Sequence, residues 1–225
     1  NLIGHSYPYS DGTGYAPKYT KQDEYQAGFT LGGPIIKNKL FFFVNYEHAN
    51  KTYPNLNGYG QEGSRVKVEE ADGILAKIKE MAAKQGIEYT GGFGNPDIYT
   101  KSDKIGAKID WNINESNKFS FRWSNVTANQ LNNTSSASTV NDNIYTYPFK
   151  SVTNSFTAEL QSRISPSISN EARATYVRVR DKRNVTSYFP GISVQVTGGT
   201  VNIGNERSSA ANSLDQDIYT FEDNL

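Results

Sequence analysis

Lys104-Ile105-Gly106-Ala107-Lys108-Ile109-Asp110-Trp111-Asn112-Ile113 is the stretch that decides how this chain folds. Successive side chains of an extended backbone point to opposite sides, so Ile105, Ala107, Ile109, Trp111 and Ile113 share one face. Lys104, Gly106, Lys108, Asp110 and Asn112 share the other. One face is apolar and the other is charged, the pattern of a strand between two unlike environments. The next segment repeats it, with Phe119, Phe121 and Trp123 set against Lys118, Ser120, Arg122 and Ser124. The short run Asn114-Glu115-Ser116-Asn117 between them predicts a hairpin.

Two more hairpins follow from the same reading. Phe156, Ala158, Leu160 and Ile164 alternate with Ser155, Thr157, Glu159, Gln161 and Arg163, and a return strand places Ala172, Ala174 and Tyr176 against Arg173 and Thr175, with Ser165-Pro166-Ser167 as the turn. Earlier in the chain, Ala27 to Leu31 pairs with Leu40 to His48 through Gly32 to Lys39. In that second strand Leu40, Phe42, Val44 and Tyr46 share a face, while Phe41 and Phe43 break the alternation and point to the charged side.

The connections sort into two classes. Short turns of about four to eight residues alternate with stretches of about 20 to 50, longer than a compact domain ordinarily tolerates. The long ones are 50–101, 128–150 and 182–215, and all leave from the same end. Strands of about ten residues, sorted loops and apolar-against-polar faces together predict an all-β fold. Its form is an antiparallel up-and-down transmembrane β-barrel segment, about seven strands of a larger barrel, with the long loops extracellular.

Composition agrees. The 225 residues include 15 tyrosines, one methionine and no cysteine, a balance rich in β-formers. The longest apolar run, Leu40 to Val44, is far short of a membrane-spanning helix. Net charge is zero, which gives no basic field for nucleic acid. One helix is expected where Val68, Ala71, Leu75, Ile78 and Ala82 recur at helical spacing between Glu69-Glu70 and Gly86, inside the longest extracellular loop. The Asn-, Ser-, Thr- and Ala-rich segments 128–143 and 208–213 read as solvated loops without a core of their own.

The run from Gly28 through Gly32-Gly33-Pro34 and Leu40-Phe41-Phe42-Phe43-Val44 to Glu47 resembles the early barrel strands of TonB-dependent outer-membrane receptors, in particular the Oar-like type of Bacteroidetes. Ser102-Asp103-Lys104, Ile109 to Asn114, Arg180 to Arg183, Gly198 to Val201 and Leu214 to Tyr219 resemble the same family in the same order. The resemblance spans nearly all of 1–225. It implies one receptor β-barrel domain of about 22 strands when complete. The N-terminal plug, the TonB-contacting segment and about fifteen further strands are then expected outside this chain, which begins at Asn1 without a leader pattern. The location it implies is the bacterial outer membrane, and the partners are outer-membrane lipid, TonB and, in some members, a surface lipoprotein.

Lys104, Lys108, Asp110, Arg122, Glu159 and Arg163 are expected to line the lumen. Tyr46, Trp111 and Trp123 are expected in the aromatic girdle, where an amphipathic ring suits the membrane interface. No catalytic pattern stands out. His5 and His48 have no metal-ligand spacing, Asp11 and Asp142 sit in turn-like runs that match no complete calcium loop, and no phosphate loop or nucleophile elbow is present. The expectation is no enzyme, no cofactor and no metal. A receptor that moves a ligand past a plug is therefore set against a non-transporting surface or secreted β-protein, an adhesin or glycan-binding module.

Overall fold

The computed structural model describes residues 22–225. Asp23–Ile36 (β1) and Leu40–Tyr53 (β2) form the first hairpin, and Val68–Lys84 (α1) follows within the next connection. Ile98–Asn112 (β3) and Asn117–Asn132 (β4) form the second hairpin. After the short Thr139–Asn141 (β5), Tyr147–Ser165 (β6) and Ile168–Arg183 (β7) form the third. Ile192–Val196 (β8), Gly199–Ile203 (β9) and Ser213–Asn224 (β10) complete the chain. Seven strands make one antiparallel sheet in the order β1-β2-β3-β4-β6-β7-β10, so sequence neighbours are also spatial neighbours. The other three form a small sheet, β5-β9-β8. Among the described residues no helix is long and apolar enough to cross a membrane.

The register confirms the phase of the alternation. Phe42, Ile109, Phe121, Ala158, Ala174 and Phe221 face one another across six strands, and Val44, Ala107, Trp123, Phe156, Tyr176 and Tyr219 form the next row on the same face. Ile109, Trp111, Phe121 and Leu160 remain between 38% and 43% exposed although strands flank them on both sides. Nothing in the described chain covers this face. Apolar side chains left bare over several strands need an apolar surrounding.

The strands run further than expected and the connections are correspondingly shorter. The stretch Gly32 to Lys39 does not form a loop: β1 continues to Ile36, leaving only 37–39 as the turn, with Asn38 at φ 60 and the Lys39 amide on the Ile36 carbonyl at 3.0 Å. The glycines and proline are tolerated for local reasons. Pro34 lies beside a bulge on β1, which among the described residues is an edge strand, a position where a sheet tolerates proline. Gly32 leaves room for the Phe43 ring, which a Cβ would meet at 3.1 Å. Phe41 and Phe43 do point to the charged face, opposite Asp110 and Lys108. In the second hairpin, the Asn114 carboxamide oxygen accepts the amides of Ser116 and Asn117 at 2.9 and 2.8 Å, closing the turn.

At the other end the long connections narrow to 54–97, 133–146 and 184–212 because the ladders extend past the apolar band into residues with polar side chains. These connections are not coreless. The most buried apolar side chains are Val66, Ala71, Ala82, Tyr89, Val140, Ile144, Val201 and Ile203, drawn from all three, and they pack as one cluster. The expectation of a solvated loop is overturned over 128–143, where 128–132 belong to β4 and Val140, Asn141 and Asp142 are buried, whereas 208–213 is exposed as expected except at Ser209. Ile144, just past the first segment, is buried as well. The physical reason is that each loop carries only a few apolar residues, too few to register locally, and the core exists only when β5 pairs in parallel with β9 some sixty residues away along the chain, Val140 against Val201. The Asn202 carboxamide N–H donates to the buried Asn141 side-chain oxygen at 2.8 Å.

Helix α1 lies in the longest connection, as expected. It ends in a Schellman turn, with Gly86 at φ 72, its amide on Ala83 at 3.0 Å and the Ile87 amide on Ala82 at 2.9 Å. Ala71 and Ala82 are buried on one side and Ile74, Leu75 and Ile78 pack against the cluster.

Candidate functional site

The six charged residues singled out from the sequence lie on one face of the large sheet. Lys104 pairs with Glu47 at 2.6 Å, and Lys108 with Asp110 at 2.6 Å. Glu159 accepts from the Arg173 guanidinium at 3.0 Å, which also reaches Glu171 at 2.6 Å and Glu222 at 3.2 Å. Arg122, Glu159, Arg173 and Glu222 border an open hollow of about 550 Å³ with Ser120 and Thr157. Arg163 stands apart from this group, near the short turns. It lines a second hollow of about 620 Å³ with Glu115, Lys118, Gln161 and Glu171.

This face is a mosaic of both signs, and most of its charges are already partnered. Glu47, Glu171, Arg173 and Glu222 were not among the residues singled out beforehand. Arg173 was legible, because it alternates with Ala172 and Ala174. Glu222 was not, since its phase depends on the pairing of β10 with β7.

Tyr46, Trp111 and Trp123 lie on the opposite, apolar face. The Tyr46 hydroxyl donates to Asp103 at 2.6 Å, and His48 meets the same carboxylate oxygen at 2.9 Å. The Trp123 indole N–H donates to Asn154 at 3.3 Å. Both rings therefore put an apolar body over the band and a polar end toward the long-loop side. Phe156, Tyr176 and Tyr219 continue the series as a stack, with centroids 5.9 and 4.8 Å apart. Trp111 is at the opposite margin, between Leu40 and Phe119 near the short turns.

The cap formed by the long connections has its own centre. Asp142 is fully buried and accepts the hydroxyl of Tyr89 and the Tyr145 amide, the latter at 2.8 Å. The Gly204 amide donates to the Tyr89 oxygen at 2.8 Å. One carboxylate thus joins the connections after β2, β4 and β9. Burial pushes the Asp142 carboxyl above its usual range despite these hydrogen bonds, and burial with the adjoining carboxylate pushes the Tyr89 phenol well up. Gly204 is at φ 84, and a Cβ there would run into the Pro190 carbonyl. Asp142 is thus a structural fastener whose oxygens are occupied by donors of the chain. His5 and Asp11 lie outside the described residues.

A sheet of long strands with one bare apolar face, one charged face, short turns at one end and long connections at the other defines an outer-membrane β-barrel protein. The chain belongs to the outer membrane beta barrel domain family, which matches residues 6–61 and 63–225. Its location is accordingly the bacterial outer membrane. No curated protein matches the chain.

Proposed function

We propose that the chain is part of the barrel of a TonB-dependent receptor of the Oar-like kind, in which extracellular loops bind a ligand that is then moved past a plug. The observation that carries this reading is the open sheet. Among the described residues β1 and β10 each have a single neighbour, so closure takes further strands and yields a barrel wide enough to hold a lumen. The resemblance of Gly28 to Glu47 and of the later segments supports the receptor type. In this reading Lys104, Lys108, Asp110, Arg122, Glu159 and Arg163 form a solvated wall against plug and cargo, while Tyr46, Trp111 and Trp123 mark the membrane interfaces. The chemistry is transport, with TonB engaged through the plug side.

Photo-cross-linking in living cells tests it, with probes on the periplasmic part of the full-length protein. The expected result is capture of TonB. Failure to capture it, together with loss of surface adhesion in a deletion strain, refutes transport and favours an adhesin.

A further inference from the structure

We infer that the open edge of the small sheet, strand β8 at Ser193 and Gln195, binds an extended segment of polypeptide by taking it up as a further strand. The inference deepens the receptor reading and rests on it for the placement of the long connections outside the cell.

The hydrogen bonds of β9 fix which groups of β8 are free. Toward β5, the Thr200 amide donates to the Ser138 carbonyl and the Asn202 carbonyl accepts the Asp142 amide, both at 2.9 Å. Thr200 and Asn202 thus direct their backbone groups to β5. Gly199, Val201 and Ile203 direct theirs to β8, where they face Val196, Val194 and Ile192. Bonded and non-bonded pairs alternate along an antiparallel ladder, so Ser193 and Gln195 fall in the non-bonded pairs and point their N–H and C=O groups away from β9. Among the described residues no strand lies on that side, and no donor or acceptor meets these groups. Both residues are exposed. The far edge of the sheet is closed instead, because Thr139 exchanges both backbone bonds with Ser136, at 3.0 and 3.1 Å.

A bare edge is ordinarily blunted by a charge, a proline or a bulge. Ile192–Val196 is uncharged, contains no proline and pairs with β9 without a register shift. Behind it the sheet is anchored by Val140, Val201 and Ile203, which are fully buried. The edge is therefore already held in the geometry that an incoming strand would meet. Its free groups repeat about every 6.8 Å, and an extended backbone is the ligand that offers N–H and C=O at that repeat. The side chains add a preference. Ser193 and Gln195 lie on a polar face with Asn202 and Thr200, bonded to them at 2.7 and 3.2 Å. Ile192, Val194 and Val196 lie on the other face, with Val201 and Ile203. A segment alternating hydroxyl-bearing and β-branched apolar residues matches both faces.

The test uses the complete protein, folded in detergent, and a fluorescein-labelled Thr-Val-Thr-Val-Thr peptide with an amidated C-terminus, read by fluorescence anisotropy. Ser193→Pro/Gln195→Pro removes the outward N–H groups and leaves the β8–β9 bonds in place, since an edge strand tolerates a proline whose nitrogen faces outward. Losing two backbone hydrogen bonds is expected to weaken binding about 30-fold. Ser193→Ala/Gln195→Ala keeps the backbone and should stay within about threefold of the parent. The same peptide N-methylated at every residue should not bind. Hydrogen exchange at the Ser193 and Gln195 amides should slow when the parent takes up the peptide, and retained protection at Val194 shows that the proline pair keeps its sheet. No binding by the parent at millimolar peptide, equal binding of the methylated peptide, or equal affinity of the two double variants overturns the inference. Ser193 and Gln195 amides already protected in the free protein would show another loop of the barrel on the edge, which also overturns it. TonB capture is measured separately, so a failed peptide leaves the receptor reading standing.

Discussion

Ile109→Arg is expected to destabilise the barrel in lipid by about 2–4 kcal/mol, the cost of placing a guanidinium near the bilayer midplane on the lipid face. The structure places Ile109 between Phe42 and Phe121 in a row of apolar residues, with apolar rows on either side of it and 43% of its surface bare. Among the described residues the one carboxylate on that face in these rows, Asp223, stands four strands away on β10 and is held by Asn170 at 2.7 Å, out of reach of the new charge. The neighbouring Lys108 gives the internal control. Its ammonium pairs with Asp110 on the opposite face, where both side chains are partly exposed, and such pairs contribute about 0–1 kcal/mol. Lys108→Ala should therefore fall within about 1 kcal/mol of the parent. Folding titrations of both variants of the full-length protein into lipid vesicles measure the difference. Because a one-residue shift exchanges the faces of every side chain, a severe loss for Lys108→Ala with Ile109→Arg tolerated refutes the whole assignment of faces.

Asp142→Ala removes the acceptor shared by Tyr89 and the Tyr145 amide, and is expected to loosen the cap by about 3 kcal/mol. Hydrogen exchange at the Tyr145 and Gly204 amides reads it, and unchanged protection contradicts the fastener role. The same amides report on pH. The Asp142 carboxyl is raised by burial, so it holds its proton more tightly in the folded cap. Its contribution is full below about pH 4 and is lost as pH rises through the raised value, so exchange should quicken over that rise and lose this dependence in Asp142→Ala. Gly204→Ala, at φ 84 and against the Pro190 carbonyl, should cost about 2 kcal/mol or more in the same assay, whereas exposed Gly73→Ala in α1 should be neutral or mildly stabilising. Cysteine labelling of intact cells should reach positions 70, 136 and 199 but not 38, 117 or 166, and external labelling at 117 would invert the topology.

The sheet was legible in the sequence because its signal is local and repeated. Strict alternation from Lys104 to Ile113 and from Lys118 to Ser124 sets the face of every residue, and turns such as Asn114 to Asn117 fix the pairing. The charged and aromatic candidates follow from that phase alone, and the sheet register places them on the expected faces. The strand ends were less legible, because polar ladders outside the apolar band show no contrast between faces and Gly32-Gly33-Pro34 carries a breaker's composition on an edge that tolerates it. Of the cap, only α1 with its apolar side was legible. Val66, Tyr89, Val140, Ile144, Val201 and Ile203 are isolated apolar residues in polar surroundings, and their burial depends on bringing three separate connections together. Likewise, the free backbone groups of Ser193 and Gln195 depend on which side of β9 meets β5. Alternation along one strand is written in consecutive residues, whereas a core or sheet edge assembled across strands exists only once distant segments meet.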